Sequence, residues 1–325
     1  MPYTSTEVYR QMRLMREFEQ ACVWGVSEKH IHGEVHVAVG QEAIGAALSG
    51  VLQDSDALVS THRNHLHAIA KGVQLYPMLA EIFERSTGLC GGFGGHMHLF
   101  DPARKFSTTG IVGGSLPVAL GHAYAARLRG DNAVAVAVVG DGSVNTGGFS
   151  ESMNMAGVMR LPLVVVVENN EWAISVPFSA SSATATIAER APAFGARGVR
   201  VDGLDYDAVR EAFVEAVRAA RAGEGPVIVE ATCYRFRGHY EGDLDLYRDQ
   251  SEKEQRREHR DPLVIARDEL VAAGHATTDE LEQIDADVRA EIDALVQRVL
   301  ADPFPDPASA RKHVFTSGLD LQAGV

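Results

Sequence analysis

Two short valine-rich runs, at residues 133–139 and 163–167, constrain the fold of this chain more than any other feature. A helix-like segment from about Phe149 to Met159 lies between them, and Pro162 ends it before the second run. Short apolar runs bounded by glycine, proline and asparagine are typical of buried strands. Two buried strands joined by a helix predict a parallel β-α-β unit, and hence an α/β fold.

Polar residues follow both predicted strands at the point where each strand ends. Gly140-Asp141-Gly142 follows the first strand, and Glu168-Asn169-Asn170 follows the second. Because ligands of parallel sheets bind at the carboxyl ends of the strands, Asp141 and Asn170 are predicted to face one crevice. Their oxygens suit Mg²⁺ or Ca²⁺, and the flanking glycines let the backbone approach a phosphate. A lone Gly-Asp-Gly is more typical of a plain strand-to-helix turn, so the pairing with the second polar stretch is what favours a site.

The net charge and the cysteine content limit which binding partners and which cellular compartment we expect for this chain. The chain has 30 Lys and Arg against 44 Asp and Glu, a net charge of −14, which argues against nucleic acid or an anionic membrane as the partner. No apolar run approaches the roughly 20 residues that span a bilayer, and the first 20 residues predict an amphipathic helix instead of a signal peptide. Three widely separated cysteines, Cys22, Cys90 and Cys233, predict reduced thiols and a cytoplasmic location.

The spacing of the two polar stretches resembles the fingerprint of thiamine diphosphate enzymes, in which Gly-Asp-Gly is followed after just under thirty residues by Asn-Asn. The resemblance implies that Asp141, Asn170 and the backbone carbonyl of Trp172 hold the Mg²⁺ that clamps the diphosphate. It also implies cofactor contacts from Gly140, Gly142 and Ser143.

The segment at residues 61–67, THRNHLH, contains three histidines and an arginine. His62 and His65 are three apart and suit a pair on one helix, but a zinc site is not predicted, because no further ligand of the usual kind stands near this segment in the sequence. On the residues alone, a solvated basic turn and a functional site remain equal alternatives. The segment resembles the Arg-x-His element of alpha subunits of thiamine-dependent 2-oxo acid dehydrogenases. The resemblance implies that Arg63 grips the diphosphate and that His65 lines the substrate side as a catalytic residue.

His62 bears on the choice of substrate within this family. Pyruvate-type members usually carry tyrosine before the arginine, whereas the pattern around His62 resembles acetoin dehydrogenase alpha subunits more closely. His62 is therefore a further candidate cofactor-binding residue.

Three later segments complete the predicted site. The resemblance implies that the backbone of Ile111, Val112 and Gly113 lies against the aminopyrimidine ring. In the glycine-rich segment at 88–101, His96 and His98 are predicted to be buried loop histidines that at most support the site.

The segment RFRGHYEGDLDLYR, at residues 235–248, resembles the family element whose histidine faces the diphosphate and the reacting carbon. This implies a catalytic and cofactor-binding role for His239 and a cofactor-binding role for Arg237. Tyr240 stands where animal pyruvate-type enzymes have a regulatory phosphoserine. The charge run at 251–260 is predicted to be a mobile, solvated loop.

The predicted architecture is a mostly parallel sheet flanked by helices. We expect a single domain over residues 1–325, with a helical extension at 1–60 and a helical tail at 261–325. The resemblance implies a beta subunit that supplies the pyrimidine-side glutamate in an α2β2 heterotetramer, and a lipoyl-bearing acyltransferase core. It implies cleavage of acetoin, with pyruvate or a branched-chain 2-oxo acid as alternative substrates. A non-catalytic assembly subunit with a vestigial cofactor motif is the alternative from another class.

Overall fold

The computed structural model describes residues 5–313, which fold around one central sheet. The described part of the chain has strands β1 Ala57–Ser60, β2 Phe100–Asp101, β3 Phe106–Thr108, β4 Ala135–Gly140, β5 Leu163–Asn169, β6 Trp172–Ala173, β7 Val176–Pro177, β8 Arg197–Asp202 and β9 Val227–Thr232, of which β6 and β7 form a separate two-stranded antiparallel sheet. Its helices are α1 Thr6–Ser27, α2 Glu42–Leu48, α3 His65–Ala70, α4 Leu75–Ile82, α5 Ser115–Arg129, α6 Gly147–Val158, α7 Phe178–Ser181, α8 Tyr206–Arg221, α9 Gln250–His259, α10 Pro262–Ala272 and α11 Thr278–Leu300. Short 3₁₀ helices form at Asp141–Asn145, Ala188–Phe194 and Pro307–His313.

The predicted mostly parallel sheet is confirmed. Within the described residues it has seven strands in the order β2-β3-β1-β4-β5-β9-β8, and only β2 pairs antiparallel. The strands β4 and β5 lie side by side, with Ala137 opposite Val165. Their carboxyl ends therefore meet at one edge of the sheet, as the two valine-rich runs predicted.

Each face of the sheet carries its own hydrophobic core, because successive strand residues point to opposite faces. Val136 and Val138 of β4 are buried in a core that also contains residues of α1, α2 and α8. Ala137 and Val139 are buried on the other face with residues of α5 and α6. Both faces of β4 are covered, which explains why its sequence is uniformly apolar instead of alternating.

The turn from β4 into α6 is built by local hydrogen bonds. A 3₁₀ helix at Asp141–Asn145 follows the strand, and Thr146 then caps α6 by accepting from the backbone N–H of Phe149. The predicted helix at about Phe149–Met159 is thus confirmed in position, with a start two residues earlier.

The N-terminal and C-terminal helices pack on each other. Ser5 caps α1, and the Tyr9 hydroxyl donates to Asp285 of α11 at 2.9 Å. The strand β1, at the end of the predicted extension 1–60, belongs to the central sheet. The domain limits remain predictions, and the part of the tail at residues 314–325 lies outside the described residues.

The charge run at 251–260 is a helix, so its prediction as a loop was wrong. It forms α9, in which Asp249 accepts from the backbone N–H groups of Ser251 and Glu252. No residue of α9 is buried, and polarity on every side left no helical periodicity for the sequence to reveal. Across residues 5–313, no helix is long and apolar enough to cross a membrane.

Candidate active site

A cavity of about 420 Å³ lies at the carboxyl ends of β4 and β5. Twelve of the residues predicted for the site line it together: His62, Arg63, Ile111, Val112, Gly113, Gly140, Asp141, Gly142, Ser143, Asn170, Trp172 and His239. They come from five separate segments of the chain. A volume of this size is in the range of small-molecule sites, so the cavity can hold a cofactor-sized ligand.

Asp141 is a buried carboxyl group that lacks a full set of partners. Burial raises its pKa to about 6, although hydrogen bonds from the backbone N–H groups of Asp141 and Asn170 act in the opposite direction. Its Oδ2 atom has no hydrogen-bond partner among the residues that the structure describes. The Asn170 side-chain oxygen accepts from the backbone N–H of Trp172 at 3.3 Å, which fixes the amide beside it. A bare buried carboxylate oxygen next to an oriented amide oxygen fits a hard divalent cation.

Two glycines allow close approach of the backbone to this cavity. Gly113 has a φ of +77°, and a Cβ atom there would lie 2.6 Å from Thr146 Oγ1, so a larger residue does not fit. A Cβ atom at Gly140 would meet no atom within 4 Å, because that side of the residue opens into the cavity. A ligand can therefore approach the main chain at the end of β4 more closely than a side chain would allow.

Arg63 and Arg235 place two buried guanidinium groups at the same cavity, with exposed fractions of 4% and 1%. Arg63 donates to the carbonyl oxygens of Val37 and His239, the latter at 2.9 Å. Arg235 donates to the Tyr247 hydroxyl at 2.8 Å. Within residues 5–313, neither forms an ion pair with a carboxylate. Burial and the neighbouring Arg235 lower the pKa of Arg63 to about 10, although Glu168 and Glu19 act in the opposite direction.

Three imidazoles face one another in the cavity. The ring centroids of His36 and His62 are 4.5 Å apart, and those of His36 and His239 are 5.0 Å apart. Burial is the largest cause that lowers the pKa of His62 to about 3 and that of His239 to about 4, and Arg63 adds to both effects. These side chains are therefore neutral near pH 7, so each has one ring nitrogen that donates and one that accepts.

Two predicted site residues do not line the cavity. His65 is fully buried behind it, with Nδ1 2.8 Å from Glu19 Oε2. Arg237 lies outside the lining because its guanidinium pairs with Glu241, at 2.6 Å and 2.7 Å. In the sequence, Glu241 stands four positions after Arg237. This spacing could have indicated that Arg237 is paired with an acidic residue, unlike Arg235.

The structure adds residues that the sequence prediction missed. His36, Arg235, Glu34 and Glu168 all line the cavity. His36 and Glu34 come from the loop between α1 and α2, and no local pattern marks them. His36 and His239 are distant from His62 in the sequence but lie beside it in space.

The two histidines of the glycine-rich loop have different environments. His96 is buried, with Nε2 3.2 Å from His36 Nδ1, so it contacts the cavity only through His36. His98 is exposed, and its prediction as a buried residue was wrong.

Comparison with known proteins places the chain among dehydrogenase subunits. The family described as "Dehydrogenase E1 component" matches residues 10–308. The alpha subunit of acetoin:2,6-dichlorophenolindophenol oxidoreductase from Cupriavidus necator is 40% identical, over 97% of this chain and 95% of its own length. Its counterpart from Bacillus subtilis is 37% identical, over 95% of this chain and 93% of its own length. The chloroplastic pyruvate dehydrogenase E1 component subunit alpha-3 from Oryza sativa is 38% identical, over 95% of this chain and 75% of its own length.

Proposed function

Because this chain belongs to the dehydrogenase E1 component family, we propose that it is the alpha subunit of a component that cleaves acetoin and passes the acyl unit to a lipoyl group. Membership implies dependence on thiamine diphosphate, and the alpha subunits among the relatives imply a beta subunit as partner. The α2β2 assembly, the lipoyl-bearing acyltransferase core and the cytoplasmic location are finer parts of the proposal. The three free cysteines support the last of these.

The observation that carries the proposal is the charge arrangement of the cavity. Among the described residues, the two buried guanidinium groups of Arg63 and Arg235 have no carboxylate partner, and Asp141 Oδ2 has no hydrogen-bond partner. A buried charge is costly unless it is paired. A diphosphate with a divalent cation would satisfy both signs at once, since the phosphates pair with the guanidinium groups and the cation pairs with Asp141.

We assign the holding residues accordingly. Asp141, Asn170 and the carbonyl of Trp172 would hold Mg²⁺, and Arg63 with Arg235 would neutralise the diphosphate. The backbone of Ile111, Val112 and Gly113 would face the aminopyrimidine ring. When bound, thiamine diphosphate supplies a nucleophilic carbon and accepts the electron pair released by carbon–carbon cleavage.

The chain's own histidines would handle protons at the substrate. His62 and His239 are neutral near pH 7, so each can donate a hydrogen bond to a substrate oxygen or accept a proton from a hydroxyl. Both groups line the cavity, whereas His65 can act only through other residues.

The partner subunit is expected to complete the site. The cofactor requires a carboxyl group at its pyrimidine nitrogen, and the resemblance assigns that glutamate to the beta subunit. Ile111 and Val112 are 73% and 60% exposed beside the cavity, which supports a partner surface that covers them.

The two-subunit proposal is tested by assaying the purified chain with acetoin and an artificial electron acceptor, alone and with the beta subunit. We expect no turnover by the chain alone and turnover by the mixture, dependent on added thiamine diphosphate and Mg²⁺. Robust turnover by the chain alone, with no beta subunit detectable, would refute the two-subunit model.

His62 supports acetoin over the alternative substrates, since it occupies the cavity position where pyruvate-type members usually have tyrosine. The reconstituted enzyme should therefore use acetoin with a kcat/KM at least about tenfold above that for pyruvate or branched-chain 2-oxo acids, a difference of about 1.4 kcal/mol. A preference for pyruvate would reassign the substrate and leave the cofactor assignment intact.

The alternative of a non-catalytic assembly subunit predicts no cofactor binding. A thermal-shift titration of the chain mixed with the beta subunit, using thiamine diphosphate and Mg²⁺, separates the two functions. A saturable rise in Tm supports the enzyme, and its absence supports the assembly role.

A further inference from the structure

We propose that His36, His62 and His239 form a binding site for a zinc-type transition metal, separate from the oxygen ligands at Asp141. One ring nitrogen from each of the three residues lies within 4.8 Å of the others. Imidazole nitrogen is a preferred ligand of Zn²⁺, whereas Mg²⁺ prefers oxygen. The site does not depend on the proposed function, since it is built from this chain alone.

The three ring nitrogens need to move only a short distance toward one another to bind one zinc ion. Three nitrogens at about 2.0–2.1 Å from a tetrahedral zinc are about 3.3–3.4 Å from one another. The imidazoles must therefore approach by up to about 1.5 Å from the separations that the structure allows. All three residues lie in connecting segments and not within helices or strands, so side-chain rotation and small loop shifts can provide this movement.

Surrounding hydrogen bonds hold the ring of His36 and the main chain of His239. His36 Nδ1 lies 3.2 Å from His96 Nε2, so a proton on Nδ1 leaves Nε2 of His36 free to bind metal. The backbone of His239 is held by Asp243, which accepts from its N–H at 2.6 Å, and by Arg63, which donates to its carbonyl. The ring contact of His36 is typical of metal-binding histidines, because it fixes the ring and its tautomer, whereas the backbone contacts of His239 fix only the position of its main chain.

The charges around the cluster set the expected strength. The positive charges of Arg63 and Arg235 repel a cation bound at the cluster, and Arg235 Nη1 lies 3.4 Å from His239 Nδ1. Glu34, Glu168 and Asp141 line the same cavity and offset those charges. We therefore expect micromolar binding, weaker than in zinc sites with acidic surroundings.

The test uses the purified chain without a polyhistidine tag, free of thiamine diphosphate and beta subunit. Calorimetric titration with ZnCl2 should give a single saturable site, and Co²⁺ should give the intense visible absorption of a four-coordinate site. His62→Phe should weaken Zn²⁺ binding by at least about tenfold, since it removes one of three ligands. Excess Mg²⁺ should not displace the zinc.

Two matched variants control for other sites. His98→Gln changes an exposed histidine outside the cavity and should keep the wild-type Zn²⁺ affinity. Asp141→Asn changes the oxygen site and removes one offsetting charge, so it should weaken Zn²⁺ binding less than His62→Phe does. A circular dichroism melt of His62→Phe checks that the variant is folded. No saturable binding by the wild type, or equal binding by folded His62→Phe, would overturn the proposal. Loss of binding in Asp141→Asn alone would also overturn it, by moving the metal to the oxygen ligands.

Discussion

His65 is paired with Glu19 and not with the cavity. Its Nδ1 lies 2.8 Å from Glu19 Oε2, both side chains are fully buried, and the other Glu19 oxygen accepts from the backbone N–H of Ala38 at 2.9 Å. The pair joins α1 to the first residue of α3 and to the loop that carries His36. His65, which the resemblance places on the substrate side, therefore does not line the cavity, and its contacts toward the cavity run through His96 and His36.

Removal of the Glu19 carboxylate should destabilise the fold. Glu19→Ala leaves His65 Nδ1 and the N–H of Ala38 without their acceptor, and each buried donor left without a hydrogen bond costs about 1–3 kcal/mol. Glu19→Gln keeps an acceptor oxygen and should lose less. Urea unfolding of the chain measures both, and equal midpoints for Glu19→Ala and wild type would contradict the assignment.

Asp141→Ala should abolish Mg²⁺-dependent binding of thiamine diphosphate and leave the fold intact. The change removes one metal ligand, and even outer contacts of metal sites cost about 10–100-fold in affinity. Quenching of Trp172 fluorescence reports binding, since that side chain lines the cavity. Asp54→Ala, at an exposed carboxylate distant from the site, is the control. Wild-type affinity in Asp141→Ala would refute the metal assignment.

Asp141→Asn should stabilise the cofactor-free chain near neutral pH. The folded-state pKa is about 6 against an ordinary value of 3.8, so the unfolded carboxyl ionises first as pH rises. The wild type therefore loses stability between about pH 4 and pH 6, by about 3 kcal/mol at most. Asp141→Asn has no carboxyl group to ionise at this position and keeps that stability. Its Tm should therefore exceed the Tm of the wild type near pH 7.5 and equal it near pH 4. A difference that does not vary with pH would contradict the raised pKa.

Arg235 and Arg237 provide a matched pair for the diphosphate contact. Arg235 lines the cavity and has no acidic partner within residues 5–313, and Arg237 pairs with Glu241 outside the cavity. Arg235→Met should weaken thiamine diphosphate binding at least about tenfold, because charge-assisted hydrogen bonds contribute about 1.5–3 kcal/mol. Arg237→Met should change it by less than about twofold. The reverse order would restore the role that the sequence resemblance assigned to Arg237.

The sequence identified those parts of the site that follow directly from strand ends. Asp141 and Asn170 were predictable, because buried strands are recognisable by composition and a parallel sheet brings their ends together. His36 and Arg235 were not, because each lies on a loop whose path depends on packing between distant segments. His65 was misplaced for a similar reason, since its partner Glu19 lies 46 residues away. Helix α9 was missed because capping and ion pairs stabilise it, such as Arg256 with Glu252, without an apolar stripe.

Residues 237–260 should become more resistant to protease when cofactor binds. The segment is held by polar contacts: Arg248 donates to the carbonyls of Arg235 and Arg237 and pairs with Asp245, which also pairs with Lys253. Helix α9 buries no residue, so its local unfolding should cost little.

Diphosphate would bind the Arg235 side chain and hold that residue in place. Because the Arg235 carbonyl accepts a hydrogen bond from Arg248, we expect cofactor binding to reduce the mobility of residues 237–260 as well. We therefore expect cleavage within 249–260 in the cofactor-free protein, suppressed by thiamine diphosphate and Mg²⁺ when the beta subunit is present. Lys253→Met removes the ion pair with Asp245 and should speed cleavage of the free form. Arg257→Met, on the same helix, controls for the lost cleavage site. Equal cleavage with and without cofactor would show that the segment is not coupled to the cavity, and His239 would lose support as a catalytic residue.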